Sequence, residues 1–189
     1  DMPAHEWSRR IGFVIQSAGL FPHRTVAENV LVTPRLLGWN ETRKARKLDQ
    51  LLSMVGLPAA SYAGRYPAAL SGGERQRVGL ARALAGEPDI ILMDEPFAAL
   101  DPLTRTGLID DIARLKSELG FAAVLVTHDF AEALRLGDRV AVMDGGRIIQ
   151  MGPPSELISS PASDTVKELL AAPRQLAATV GDAFKEQSR

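Results

Sequence analysis

The chain has 189 residues, enough for one domain with a substantial core, and its 46% hydrophobic and 24% charged residues are typical of globular proteins. Its formal net charge of -1 gives no electrostatic reason to expect a nucleic-acid partner. The absence of cysteine excludes disulfides, thiol catalysis and cysteine-based metal sites. No apolar stretch approaches the roughly 18 residues that a membrane span needs.

The first half of the chain contains one predicted strand followed by helical segments. Residues 11–15 form a short apolar run that predicts a buried strand. From Asn40, a candidate N-cap, apolar residues recur on one face of a predicted helix that stops at Gly56. Residues 71–85 form a second predicted helix, which ends at a glycine and a proline.

The second half of the chain indicates a βαβ unit and a hairpin. Residues 89–93 and 122–126 are continuous apolar runs, which are typical of parallel strands buried on both faces. An amphipathic helix lies between them and ends at Gly120, so strand, helix and strand follow in order. Asp144-Gly145-Gly146 then predicts a hairpin between residues 139–143 and 147–151.

The most informative segment is the strand that ends in two adjacent carboxylates, Asp94 and Glu95. Ligands of open α/β sheets bind at the carboxyl edge of the strands, and successive side chains of a strand point in different directions. One carboxylate can therefore hold Mg²⁺ through its water shell while the other accepts a proton from attacking water. Taken alone, the segment could also be a strand end that becomes a polar turn before Pro96.

A second informative segment, Ser71-Gly72-Gly73-Glu74, begins the helix of residues 71–85. Two glycines leave backbone N–H groups bare at the positive end of the helix dipole, which favours an anion such as phosphate. Ser71 and Glu74 have the spacing of a capping box, which explains both without a ligand. The capping box does not explain the glycines, which weaken a helix unless something approaches closely.

Two further polar residues follow predicted strands. Gln16 comes after the strand of residues 11–15, where its amide can reach a metal or a water molecule. His128, in Thr127-His128-Asp129, follows the strand of residues 122–126. Each signal is weak by itself, and Asp129 has the spacing of an ordinary helix cap.

These segments occur in a fixed order that resembles the ABC ATPase family over nearly the whole chain. The order is Gln16, Leu-Ser-Gly-Gly-Glu at 70–74, Ile-Leu-Met-Asp-Glu-Pro at 91–96, Ala-Leu-Asp at 99–101 and Thr-His-Asp at 127–129. The resemblance implies an α/β fold of the P-loop NTPase type that uses ATP and Mg²⁺. It implies one ABC ATPase domain over residues 1–189, with a catalytic core (1–16 and 86–151), a helical signature subdomain (17–85) and a C-terminal helical extension (152–189) after the hairpin.

By this resemblance, Glu95 looks like the general base and His128 like the switch histidine that touches the γ-phosphate. Asp94 looks like the Walker B aspartate, which binds Mg²⁺. Gln16 looks like the Q-loop glutamine, which contacts Mg²⁺ and reports to the membrane subunits. Asp101 looks like the D-loop aspartate, although the proline after it also suits a plain helix start.

The resemblance also implies a composite nucleotide site. Ser71, Gly72, Gly73 and Glu74 look like the signature motif, which clasps the γ-phosphate held by a second ATPase subunit in a head-to-tail dimer. Glu74 stands where the family usually has glutamine, and its charge is unfavourable near a phosphate unless the side chain turns back to cap its own helix.

The phosphate-binding loop of the family is absent from the sequence. No G-x-x-x-x-G-K-[ST] and no Gly-Lys pair occur in it. We therefore expect an N-terminally truncated domain, with the loop in residues that precede Asp1. We expect this chain alone to bind ATP poorly and to hydrolyse it negligibly.

Further runs, at residues 19–30, 34–39, 95–105 and 152–157, resemble the ATPase subunits of importers for osmoprotectants such as glycine betaine, choline and carnitine. This implies permease subunits and, indirectly, a solute-binding protein as partners, at the cytoplasmic face of the membrane. Phe21 and Pro22 are candidates for the permease contact. The alternatives are an importer of amino acids or other small polar solutes, a soluble ATPase of DNA repair or translation, and a degenerate domain that only binds a partner.

Overall fold

The computed structural model describes residues 7, 10–98 and 100–171. Among them, no helix is long and apolar enough to cross a membrane. The chain divides into two compact units at the boundary between Val126 and Thr127. The elements in chain order are β1 (Ile11–Val14), α1 (Val26–Val30), α2 (Val32–Leu36), α3 (Glu41–Met54), α4 (Ala59–Tyr62), α5 (Gly72–Leu84), β2 (Ile90–Asp94), α6 (Pro102–Leu119), β3 (Ala122–Val126), α7 (Phe130–Leu136), β4 (Val140–Asp144), β5 (Arg147–Gly152) and α8 (Pro154–Ser159).

The first unit contains a parallel sheet with the strand order β1-β2-β3, and α6 connects β2 to β3. The predicted βαβ unit is therefore confirmed. Helix α3 begins and helix α6 ends where the sequence predicts, because Asn40 caps α3 and Gly120, at a φ of 72°, ends α6. The predicted hairpin is confirmed as β4 and β5 of the second unit.

Within the described residues, the sheet is buried on one face and exposed on the other. Ile91 and Met93 point to the same face and are almost completely buried. On the opposite face, Phe13 and Val124 flank Leu92 in the strand register, and each is 54% exposed. The prediction that the strands are buried on both faces is therefore wrong for this structure. An apolar run shows that a strand suits burial but does not show which layers cover it.

Helix α5 packs closely on β1 because small residues face each other. A Cβ atom at Gly12 would lie 2.6 Å from the carbonyl oxygen of Ala83. A Cβ atom at Gly79 would lie 3.3 Å from Cβ of Ala18, in the loop after β1. The two glycines thus bring the helix within hydrogen-bonding distance of that loop.

Two arginines hold the C-terminal end of α3. Arg77 of α5 donates to the carbonyl oxygen of Val55 at 3.0 Å and forms an ion pair with Asp111 of α6. Arg114 of α6 donates to the carbonyl oxygen of Met54 at 2.7 Å. These bonds satisfy carbonyl groups that a helix end leaves without partners, and they join α3, α5 and α6.

The N-terminal ends of α5 and α6 also meet. Asp101 caps α6 by accepting a hydrogen bond from the backbone N–H of Thr104 at 3.1 Å. A Cβ atom added to Gly73 would overlap Cγ2 of the same threonine. Gly73 therefore has a packing role at the junction of the two helices.

The second unit has its own small core. Asp129 caps α7 by accepting hydrogen bonds from the N–H groups of Ala131 and Glu132, so its predicted capping role is confirmed. Residues 164–171 are helical. The buried residues of this core are Val140, Val142, Leu157, Val166 and Leu170, with Phe130, Ala133, Leu134 and Ile149 packed against them.

Gly73→Ala is expected to lower the free energy of unfolding by about 1–3 kcal/mol, because the added methyl group overlaps Thr104. Helix propensity alone favours alanine over glycine by about 1 kcal/mol, so a net loss isolates the steric contact. Urea unfolding followed by circular dichroism measures the change.

Thr104→Ser supplies the matched control because it removes only the methyl group that Gly73→Ala would meet. The double variant should recover most of the lost stability. A Gly73→Ala variant as stable as the parent protein would contradict the packing role.

Candidate functional site

Polar side chains meet at the carboxyl edge of β1 and β2. The two strands end side by side, since Val14, the last residue of β1, pairs with Met93, the next-to-last residue of β2. Beyond them, Nε2 of Gln16 donates a hydrogen bond to Oε2 of Glu95 at 3.2 Å. Asp94, the last residue of β2, is exposed at the same edge. The structure thus brings together residues that lie 79 positions apart in the chain.

The backbone of Glu95 is strained. Its φ is 42°, in the left-handed region, which costs a non-glycine residue roughly 1–2 kcal/mol. Its N–H donates to the carbonyl oxygen of Val126 at 2.9 Å, which fixes the turn to the end of β3. Strained backbone of this kind is concentrated at functional sites, where the surrounding structure holds it in place.

The loop after β1 is fixed by two side chains of α5. Nε2 of Gln76 donates to the carbonyl oxygen of Ile15 at 3.3 Å. Arg82 donates to the carbonyl oxygens of Ala18 and Gly19 at 2.8 and 2.6 Å. Sequence analysis missed both side chains, although polar residues on a helix face that is otherwise small or apolar are a detectable signal.

At the start of α5, the predicted capping box is present. The N–H of Glu74 donates to Oγ of Ser71 at 3.2 Å, and the N–H of Ser71 donates to Oε2 of Glu74 at 2.7 Å. Oε1 of Glu74 accepts a further hydrogen bond from the hydroxyl of Tyr62 at 2.7 Å, a partner that the sequence did not reveal. The expectation that this carboxylate turns back to its own helix is confirmed.

These bonds keep Glu74 ionised. The backbone N–H of Ser71, followed by the hydroxyl of Tyr62, holds the pKa of Glu74 below its usual value of 4.5. A carboxylate near the N-terminus of a helix is also stabilised by the helix dipole. The negative charge of Glu74 is therefore stabilised by groups of the chain itself, namely two hydrogen-bond donors and the helix dipole.

The two glycines of this segment differ in their surroundings. Gly73 is buried and packs against Thr104, so the close approach that the sequence indicates comes, at this position, from the chain itself. Gly72 is partly exposed at the first turn of α5. Asp101 accepts a hydrogen bond from the N–H of the same Thr104. Gly73 of the predicted signature motif and Asp101 of the predicted D-loop therefore lie close together.

His128 belongs to the second unit and is exposed directly after β3. The residues beside it are held by hydrogen bonds. Oγ1 of Thr127 donates to Oε2 of Glu132 at 2.5 Å, and the N–H of Asp129 donates to Oγ1 of Thr127 at 3.0 Å. Glu132 is buried.

The edge of β1 and β2 suits Mg²⁺. Asp94 supplies carboxylate oxygens and Gln16 an amide oxygen, the hard donors that this ion prefers. In residues 10–98 and 100–171, no group of three or more His, Asp or Glu side chains is arranged to hold a metal. Mg²⁺ usually takes one or two carboxylates and completes its shell with water and phosphate oxygens.

Tyr62→Phe is expected to lower the free energy of unfolding at neutral pH, because Glu74 loses a hydrogen-bond donor. The folded-state pKa of Glu74 lies below its unfolded value, so the carboxylate contributes stability above pH 4.5 and loses it as the pH falls through the folded-state pKa. The difference in the free energy of unfolding between the parent protein and Tyr62→Phe should therefore become smaller at acid pH. Urea unfolding between about pH 7 and pH 3 measures it.

Tyr66→Phe is the control, since that tyrosine is 52% exposed and lies in the same region of the chain. It should change stability little at any pH. A Tyr62→Phe effect that is constant down to acid pH would contradict the assignment to Glu74.

Comparison with known proteins identifies the family to which the chain belongs. The family model described as ABC transporter matches residues 2–98, just over half of the chain. An osmoprotectant import ATP-binding protein of Salmonella typhimurium is 44% identical over 176 residues, 93% of this chain and 46% of the relative. A glycine betaine uptake system ATP-binding protein of Escherichia coli is 47% identical over 168 residues, 89% of this chain and 54% of the relative.

A glycine betaine/carnitine/choline transport ATP-binding protein of Bacillus subtilis is 46% identical over 165 residues, 87% of this chain and 43% of the relative. The chain spans about half the length of the curated relatives it matches. The match of the family model and the order of the motifs agree, and the chain belongs to the ABC transporter family.

Proposed function

We propose that the chain is part of the subunit that binds and hydrolyses ATP in an ABC importer. The observation that carries the proposal is the hydrogen bond between Gln16 and Glu95, at 3.2 Å, beside Asp94. Ligands of parallel sheets bind at this carboxyl edge, and an amide and two carboxylates can hold a metal ion and activate a water molecule for hydrolysis of a phosphate bond.

Each residue of the site has a separate task in this proposal. Glu95 accepts a proton from the attacking water at a carboxylate oxygen, and Nε2 of Gln16 orients that carboxylate. Asp94 and Oε1 of Gln16 would hold Mg²⁺, which, when bound, neutralises charge on the phosphates. His128 would contact the γ-phosphate. The strained turn at Glu95 supports the assignment, because it takes this side chain out of the alternation of β2.

The signature residues would act on a second subunit. Ser71 and Gly72 lie at the N-terminus of α5, where the helix dipole favours a phosphate. Because both oxygens of Glu74 are bonded within the chain, its charge is turned toward Ser71 and Tyr62. We therefore infer a head-to-tail pair in which binding of ATP closes the dimer and product release opens it.

The loop after the Q-loop glutamine supplies a surface for the permease subunits. Oδ1 of the buried Asn29 accepts from the N–H of Phe21 at 2.7 Å, and its amide donates to the carbonyl oxygens of Phe21 and Arg24. These bonds hold Phe21 and Pro22 in an exposed loop. We place the permease contact at these two residues, which puts the protein at the cytoplasmic face of the membrane as a peripheral subunit.

The names of the relatives support a solute class. They refer to osmoprotectants, glycine betaine, carnitine and choline. We propose the same class for the importer that contains this chain, with a solute-binding protein as an indirect partner. Because the ATPase does not contact the solute, the choice of solute depends on the other subunits.

Glu95→Gln in the complete protein is expected to lower ATP hydrolysis by about 10²–10⁴-fold, because glutamine cannot take a proton from water. Binding of ATP should persist, so an ATP-bound dimer should accumulate. Phosphate release measures the first effect, and size-exclusion chromatography with ATP measures the second.

Glu118→Gln is the matched control, since Glu118 is a partly exposed acid of α6 that pairs with Arg114. With the permease subunits present, uptake of radiolabelled glycine betaine should stop with Glu95→Gln and continue with Glu118→Gln. Undiminished hydrolysis in Glu95→Gln would remove Glu95 as the base. Uptake of an amino acid in place of glycine betaine, choline and carnitine would contradict the solute class.

The 189-residue chain by itself is proposed to bind ATP weakly, because a G-x-x-x-x-G-K-[ST] loop is not part of its sequence. Calorimetric titration with ATP and Mg²⁺ is expected to give a Kd of about 1 mM or weaker, which corresponds to no more than about 4 kcal/mol of binding free energy. Asp94→Asn tests whether any residual binding involves the metal site. A micromolar Kd would overturn the proposal that this loop is needed.

A further inference from the structure

The Q-loop glutamine lies in a turn whose two ends are attached to α5. The N–H of Ala18 donates to the carbonyl oxygen of Ile15 at 2.9 Å, so Gln16 and Ser17 are the central residues of a four-residue turn. The carbonyl oxygen of Ile15 also accepts from Gln76, and that of Ala18 accepts from Arg82. The position of Gln16 therefore depends on α5.

The turn needs this support because its backbone is strained. Ala18 has a φ of 59°, which is strained for a residue with a side chain, whereas Gly19 adopts its φ of 54° without such strain. Ala18 is only 1% exposed and packs over Gly79, so its strained conformation is buried between β1 and α5. Without attachment, a loop with this strain would relax to other conformations.

Arg82 is suited to hold the turn. Its planar guanidinium donates through Nη1 and Nη2 to two successive carbonyl oxygens, at 2.6 Å and 2.8 Å. Charge-assisted hydrogen bonds from a forked donor are stronger and more directional than neutral ones. A lysine would keep the charge but lose the fixed fork.

We propose that Arg82 is a positioning residue: it fixes the turn that carries Gln16 and thereby sets the contact of Gln16 with Glu95. The 13 residues of α5 join this attachment, near their C-terminal end, to the Ser71–Glu74 segment at their N-terminal end. A movement of Ser71–Glu74 would thus be transmitted through α5 to the turn that carries Gln16. The meaning for catalysis rests on the proposed ATPase function, whereas the attachment of the turn does not.

The test uses a nitroxide label at Ser17, which is exposed in the same turn. Because the chain has no cysteine, Ser17→Cys gives a single labelling site. Electron paramagnetic resonance of the labelled 189-residue chain, without nucleotide, should show an immobilised label. Adding Arg82→Lys should increase the mobility of the label several-fold.

Arg77→Lys is the matched control, because Arg77 lies on the same helix and donates to a backbone carbonyl oxygen at Val55. It should lower the melting temperature without freeing the label at Ser17. If Arg82→Lys does not fold, Arg82→Gln provides a second variant that lacks the fork. Folded variants of Arg82 with an immobile label would overturn the proposal, and so would equal mobility in the Arg77→Lys control.

A second measurement separates this inference from the proposed function. In the complete protein, Arg82→Lys should lower kcat for ATP hydrolysis several-fold and leave KM for ATP nearly unchanged. A freed label together with a parental kcat would overturn the positioning role in the reaction. A parent protein that does not hydrolyse ATP would instead overturn the proposed function and leave the attachment of the turn intact.

Discussion

The close contact between α5 and β1 determines the geometry of the candidate site. At Gly12 there is no room for a side chain, since a Cβ atom would lie 2.6 Å from the carbonyl oxygen of Ala83. A larger residue would push the helix away from the strand. Gln76 and Arg82 would then no longer reach the carbonyl oxygens of the loop after β1. The hydrogen bonds from Gln76 and Arg82 thus depend on glycine at position 12.

Strained backbone lies on both sides of the candidate site, and a different contact holds each side. Ala18 and Glu95 both have positive φ, which costs each roughly 1–2 kcal/mol. The hydrogen bonds from Arg82 to the carbonyl of Ala18 and from the N–H of Glu95 to Val126 offset part of this cost. The surrounding structure thus holds both residues in a conformation that they would otherwise leave.

Local signals in the sequence predicted most of the elements, and longer contacts were missed. Asn40 and Gly120 mark helix ends by their own conformations, and the order of motifs predicted which strand ends carry polar residues. The bond of Tyr62 has no such signal, and Arg82, a polar residue on a helix face that is otherwise small or apolar, indicates a buried contact but not its partner. Each of the two bonds joins elements that only the tertiary structure brings together. The exposed face of the sheet was also mispredicted, because the apolar residues of a strand do not indicate whether another layer packs on each face.

Glu74 shows how a departure from the family pattern is accommodated. Its two oxygens accept hydrogen bonds from the N–H of Ser71 and the hydroxyl of Tyr62, so the carboxylate serves only as an acceptor. A glutamine would offer one oxygen and one amino group, and could not accept at both positions. The carboxylate also interacts favourably with the dipole of α5. Glutamate at position 74 therefore stabilises the start of α5 and links it to α4 through Tyr62. Its charge interacts with donors of the same chain.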